Sequence, residues 1–378
     1  MSDMRTLLVD SASRLFSDLC TRPLFDVAEK GGLDLPAWRA LERAGLPRAT
    51  VPESLGGTGA DLGDALELVR EAGRLALPLP LADTLLAQHV LSAAGLASQD
   101  GVGTIGPVVQ ARQTGEAASS TLTLTRTAGQ WLLSGTLHRV PWARHADFLA
   151  AVARSGAGHA TVRVPQAALR AAIVRHDVNW ANEPRDTLAF REVALEPEWV
   201  GAPDAGFSCE DLRFQGALFR LCAMSGAMGQ VLRLAVQYAK DRTQFGKPIG
   251  HFQAVQHSLA VLASQVAAAN ACADATVDAV SRAPAHFEIA AAKARIGEAA
   301  HIACSIAHQV HGAMGFTQEH ALHRSTRRLW AWRDEFGTEA EWAEWIGRVA
   351  VRLGGSGLWP FLTSPDKALP GRVPARPA

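Results

Sequence analysis

DRTQFGKPIGHFQAVQ, residues Asp241–Gln256, interrupts an alanine-rich helical half of the chain with two glycines, a proline and a cluster of polar side chains. One account is an ordinary helix C-terminus, because Gly246 suits a left-handed cap and Pro248 cannot continue the hydrogen-bond ladder. The other is a loop that presents Arg242 to an anion. Gln244, Phe245 and Gln253 lie near it, a fork of donors beside an aromatic ring. Such a set suits a pyrophosphate, since Arg supplies a planar bidentate pair and glycine lets backbone amides approach. Taken alone, an Arg after "AKD" is more often a surface ion-pair partner.

A second stretch, QVHGAMGFTQEHALHRSTRRLW (Gln309–Trp330), again ends a helical pattern at glycines and delivers a polar side chain, Gln309, beside backbone that a ligand can approach closely. Outward from these two segments, three textures succeed one another. From Arg5 to about Gly95 the leucines and alanines recur at helical spacing, broken by VPESLGGTGADL (Val51–Leu62). STLTLTRTAGQWLLSGTLHRV (Ser120–Val140) alternates apolar with polar residues, turns through a glycine and alternates again, which predicts a hairpin. ADFLAAVA, HATVRVP and TLAFREVALEP continue the strand pattern. From Asp211 helical patterning returns and dominates to about Leu358, with runs such as AVLASQVAAANACADATVDAV that suit bundle helices packed on most sides. The expected organisation is α+β: a helical unit over residues 1–115, a central antiparallel β unit over 116–203, a four-helix bundle over 204–360, and a proline-rich disordered tail over 361–378.

Composition bounds the function. The chain has 378 residues, enough for two or three packed units, and 48% are hydrophobic, enough to bury them without staples. Lys and Arg number 37 against 37 Asp and Glu, which argues against a nucleic-acid surface and makes any anion site local. Five widely spaced cysteines lack paired C-x-x-C spacing and read as reduced, mostly buried thiols of a cytoplasmic protein. MSDMRTLLVDSASRLFSDL reads as an amphipathic helix rather than a signal peptide, and no apolar run approaches the ~20 residues of a membrane span. His308 and His311, three apart on one helical face, lack the further ligands of a metal site, so no metal is expected. Trp330, Trp332, Trp342 and Trp345 fall at helical spacings that suit packing or subunit contacts.

The two segments together resemble the acyl-CoA dehydrogenase flavoprotein family: DRTQFGKPIGHFQAVQ is similar to its R-x-x-FGKPI-x-x-FQ-x-VQ run, and QVHGAMGFTQEHALHR to its Q-x-x-GG-x-GF-x-x-E stretch. The resemblance implies the helix, sheet, helix fold, FAD held between subunits of a tetramer, and oxidation of the Cα–Cβ bond of an acyl-CoA thioester, with an electron-transfer flavoprotein as candidate acceptor. It implies that Arg242, Gln244, Phe245, Gln253, Gln309 and Gly312 touch the FAD bound mainly by a neighbouring subunit, and adds Thr338 as a cofactor contact. Ala313 stands where the family has the second glycine of the pair.

The catalytic half departs from that pattern. The family's proton-abstracting glutamate sits in a YEGT-like turn, and its place here falls on Phe336 in RDEFGTEAEW. Phenylalanine cannot accept a proton. Glu335, one residue earlier, could serve only if the turn rotates it inward; otherwise Asp334 and Glu335 are solvated surface acids. The family's alternative base position falls near Gly216, again without a carboxylate. GPVVQARQTGEAAS and LHRVPWARHADF replace the family's flavin-ring loop and strand, where Trp142 is either a ring contact or core. Three readings follow. The first is a subunit that lends half of an FAD site to a related partner, acting on a bulky, ring-bearing acyl-CoA; the second is a self-sufficient homotetramer using Glu335; the third is a non-catalytic scaffold of the same fold.

Overall fold

The computed structural model describes residues 3–107, 120–156 and 158–364. Five helices open the chain: α1 (Asp3–Leu19), α2 (Arg22–Ala28), α3 (Leu35–Arg43), α4 (Leu62–Arg74) and α5 (Leu81–Ala93). Their starts are written locally. The Asp34 carboxylate accepts from the Ala37 N–H at 2.9 Å and that of Asp61 from the Asp64 N–H at 2.7 Å, satisfying amides that the first turn leaves unpaired.

The sheet follows: β1 (Gly103–Ile105), β2 (Thr121–Thr127), β3 (Gln130–Pro141), β4 (Phe148–Ser155), β5 (Gly158–Pro165), a short α6 (Gln166–Ala171), β6 (Ile173–Arg175) and β7 (Arg185–Leu195). The predicted hairpin is β2–β3, with Thr127 opposite Gln130 and both loop residues, Ala128 and Gly129, at positive φ, as a tight turn matched to strand twist requires. The order is β1-β4-β2-β3-β7-β6 with β5 on β4. Most pairings are antiparallel, but β1 runs parallel to β4, and β2 meets β4 in a parallel contact. β1 precedes residue 116, where the strand pattern was expected to begin; it is three residues long, too short for alternation to register.

The bundle is built on α7 (Cys209–Asp241), a 33-residue helix buried along much of its length. A hairpin, β8 (Thr243–Gln244) with β9 (Lys247–Pro248), leads to α8 (Gln253–Val280), α9 (His286–His311), α10 (Leu322–Trp332) and α11 (Glu339–Thr363). α9 packs against α7, α8 and α11. Phe361 is buried and sets its ring edge-on to Phe287 at 5.0 Å, so the first residues of the expected tail are helical; residues 365–378 lie outside the described residues. The five cysteines are free; Cys222 and Cys304 are buried, whereas Cys20, Cys209 and Cys272 are only partly so. Among the described residues no helix is long and apolar enough to cross a membrane.

One continuous core joins helices, sheet and bundle. α4 and α7 cross backbone to backbone through two glycines: a Cβ on Gly73 would collide with the Ala223 carbonyl, and one on Gly226 with the Arg70 carbonyl. Gly226→Ala must therefore force the helices apart. Its midpoint in chemical denaturation should fall by the equivalent of about 1–3 kcal/mol, the usual cost of overpacking; an unchanged midpoint would show that the crossing yields freely.

Candidate functional site

The Asp241–Gln256 segment is neither a capped helix end nor an irregular loop. α7 stops at Asp241, Arg242 turns extended at φ −76°, ψ 114°, and the chain folds into the β8–β9 hairpin. Gly246 is left-handed as expected, but in the hairpin turn, beside Phe245 at φ 51°. An aromatic side chain in that region is strained, and here it is 92% exposed at the hairpin tip. The Phe-Gly pair between two short extended dipeptides was the signal for this turn.

The donors stand on the surface around it. Arg242, Gln244 and Gln253 are exposed, the last at the start of α8. Gln309 is exposed in the last turn of α9, and Gly312, at φ 58° and ψ −144°, has open space where a Cβ would be. The Gln244 carboxamide donates to the carbonyl of its neighbour Thr243 at 2.8 Å. A guanidinium, carboxamides and an open glycine, facing outward, fit the phosphates and polar edges of FAD. Thr338 differs from these. It is the N-cap of α11, its N–H and hydroxyl donating to the Glu341 carboxylate at 2.8 and 3.1 Å, so its polar atoms already serve the helix.

Inside the chain, the turn after α10 is filled rather than open. Phe336 is buried at φ 56°, and a Cβ on Gly216 would collide with its ring. The two positions onto which the resemblance maps a base, Phe336 and Gly216, thus meet in space, and one phenyl ring occupies the meeting point. Glu335 is not a solvated surface acid. One of its oxygens receives the Arg185 guanidinium at 2.7 Å and Asn179 Nδ2 at 3.3 Å, and the other receives Arg220 Nε at 2.6 Å. Burial alone would push this carboxyl up, but Arg185 and Arg220 outweigh burial and bring it down from its ordinary 4.5 to about 2. So weak a base, with both oxygens engaged, is poorly placed to take a substrate proton. Asp334, its neighbour, is exposed.

The pairing extends in both directions. Arg220 also binds Asp83 of α5 at 2.6 Å, Arg185 binds Glu183 at 3.0 Å, and Glu183 pairs with Arg328 of α10 at 3.1 Å and accepts from Trp332 Nε1 at 3.2 Å. Lys293, buried in α9, donates to the Arg333 and Gly337 carbonyls at 2.6 and 3.0 Å and so pins both ends of the turn. Beside it remains a recess of about 560 Å³, lined by Arg139, Arg185, Asn179, Asp334, Glu335 and an exposed Trp180. Trp142 is core, 2% exposed. Of the tryptophans in the bundle, Trp342 and Trp345 pack on Phe214 with ring centroids 5.0 and 5.2 Å away. His308 and His311 point to different partners, the Thr326 hydroxyl and the Ala307 carbonyl. The stretch expected to replace the family's ring loop lies largely outside the described residues.

Comparison with known proteins assigns the helix, sheet, helix scaffold to a family of dehydrogenases. Residues 213–350 match the family described as "Acyl-CoA dehydrogenase, C-terminal domain". The chain is 31% identical over 304 residues to acyl-CoA dehydrogenase IpdE2 of Mycobacterium tuberculosis, covering 80% of this chain and 82% of that protein. Its fold matches the ChsE4-ChsE5 complex of Mycobacterium tuberculosis with a TM-score of 0.81 at 22% identity, over 92% of this chain and 97% of the other. It also matches the Tcur3481-Tcur3483 steroid ACAD with a TM-score of 0.79 at 23% identity, over 91% and 97%. The chain belongs to the acyl-CoA dehydrogenase family, whose cofactor is FAD.

Glu335→Gln leaves two buried guanidiniums facing an uncharged group, so it should destabilise the fold by about 3–5 kcal/mol at neutral pH in chemical denaturation. The folded-state value of Glu335 lies below its ordinary one, so its contribution is complete above about pH 4.5 and is lost as pH falls toward 2. The gap between wild type and variant should narrow over that range. A gap of the same size at pH 7 and pH 3 would contradict the ion-pair account.

Proposed function

We propose that this chain is an acyl-CoA dehydrogenase-type subunit that lends one face of an FAD site to a related partner subunit, which carries the base. What supports the reading is a contrast within one molecule: donors that the family uses toward a neighbour's FAD are retained and exposed, whereas Phe336 and the Glu335 ion pairs fill the place of its own base. Undirected loss of function would not sort the two halves so cleanly.

When bound, FAD supplies the electron sink for hydride from the substrate's Cβ after proton loss at Cα. This chain's part is to bind and orient. Arg242 offers a bidentate cation to phosphate, and Gln253 and Gln309 offer amide donors and acceptors from the ends of two helices. Phe245 carries an apolar ring outward, where it would be covered in an assembly. Flavin retention is then coupled to assembly by mass action. That a fold relative is a complex of two differently named chains, and another is described as a steroid ACAD, supports a heteromeric arrangement and a bulky, ring-bearing acyl-CoA as substrate class.

Expressed alone, the chain should show little or no flavin absorbance; co-expressed with a family member that carries the missing glutamate, it should copurify yellow. In that assembly Arg242→Ala should weaken FAD binding by roughly tenfold or more, the worth of about 1.5–3 kcal/mol for a charge-assisted contact. A yellow protein purified alone that desaturates an acyl-CoA, or an Arg242→Ala assembly with unchanged FAD affinity, would refute the proposal.

A further inference from the structure

We infer that Tyr238 and His311, with His320 at their edge, form a ring stack that sets the spacing between the two groups of flavin-facing donors, a positioning role that rests on the shared-site reading above. Arg242 and the hairpin follow the C-terminus of α7, whereas Gln309 and Gly312 close α9, and an FAD spanning both needs the two helix ends in fixed register. The rings lie between them. Tyr238, the only tyrosine of the chain, stacks on His311 with centroids 4.5 Å apart and planes 28° from parallel. His320, from the connection to α10, stands edge-on to Tyr238 at 5.9 Å and contacts the His311 ring at 4.6 Å.

Both donors are tied to this stack through short backbone paths. The Arg242 N–H donates to the Tyr238 carbonyl at 2.9 Å, one helical turn back. His311 immediately precedes Gly312 and follows Gln309 by two residues, so whatever seats its ring seats the end of α9. The ring is itself anchored, Nδ1 lying 2.7 Å from the Ala307 carbonyl, and it is 3% exposed. Its Nε2 is buried with no hydrogen-bond partner among the described residues, so what the imidazole offers α7 is its face. A flat stack transmits spacing in a way that a flexible aliphatic pair cannot. The side chains that touch the flavin do not include Tyr238 or His311 in this account; they act through Arg242, Gln309 and Gly312.

The test measures FAD affinity by flavin fluorescence in the assembly with the partner subunit. Tyr238→Phe keeps the stacking face and should bind FAD within about twofold of wild type. Tyr238→Leu should weaken binding about three- to tenfold, the worth of one aromatic pair, while subunit composition stays the same. His320→Ala removes only the edge ring and should act in the same direction with a smaller effect, which keeps the test usable if Tyr238→Leu does not fold. Wild-type affinity in both Tyr238→Leu and His320→Ala, or equal losses in Tyr238→Phe and Tyr238→Leu, would overturn the positioning role. Arg242→Ala separates the two levels: if it weakens FAD binding and the ring variants do not, the stack alone is wrong; if it has no effect, the shared site fails and the positioning role with it.

Discussion

Arg185 and Arg220, both buried, close on one half-buried carboxylate, that of Glu335, and the interior of this subunit is arranged around the need to keep the three together. Charges taken out of water are costly unless each finds a partner. Here Asp83, Glu183 and Glu335 face Arg185, Arg220 and Arg328, three against three, so the cluster is neutral as a whole. Its members come from α5, the start of β7 and the loop before it, α7, α10 and the turn after α10. The cluster therefore fastens the N-terminal helices and the sheet to the bundle. A carboxylate needed as a structural counter-ion cannot also be a poised proton acceptor, because the cations that hold it also lower its basicity. Phe336 fills the space against Gly216, where the family resemblance would otherwise place a base.

The opposite economy holds at the far end of α7. There the chain spends strain to keep groups exposed: Phe245 is left-handed at a hairpin tip, and Gly312 takes backbone angles that a side chain would resist. Neither feature is needed for the subunit's own core. Under the proposed function a second chain and its nucleotide would cover them, which joins the electrostatics of the interior to the reading of the surface.

Much of the architecture was legible because period carries it. The β2–β3 hairpin alternates strictly enough to be read from Ser120–Val140, and the long apolar-small runs of α8 and α9 predict a bundle. The β8–β9 hairpin was harder, since two-residue strands have no period and Gly246 imitates a helix cap. Glu335 could not be placed from sequence at all: its partners Arg185 and Arg220 are 150 and 115 residues away, and an acid in a polar turn looks solvated until they are assembled around it. The encounter of Phe336 with Gly216, and that of Tyr238 with His311, are likewise products of helix packing. That Arg242, Gln253 and Gln309 stand exposed was legible for the opposite reason, since polar residues in a motif need no tertiary partner to be noticed.

If, as proposed, this chain keeps only the face that serves its neighbour, each pair of unlike chains builds one complete flavin site. The most direct measurement is the molar ratio of FAD to polypeptide in the purified assembly with its partner subunit, from visible absorbance and quantitative amino-acid analysis. The account predicts one FAD per pair of unlike chains, whereas one FAD in every chain of a stable homotetramer would contradict it.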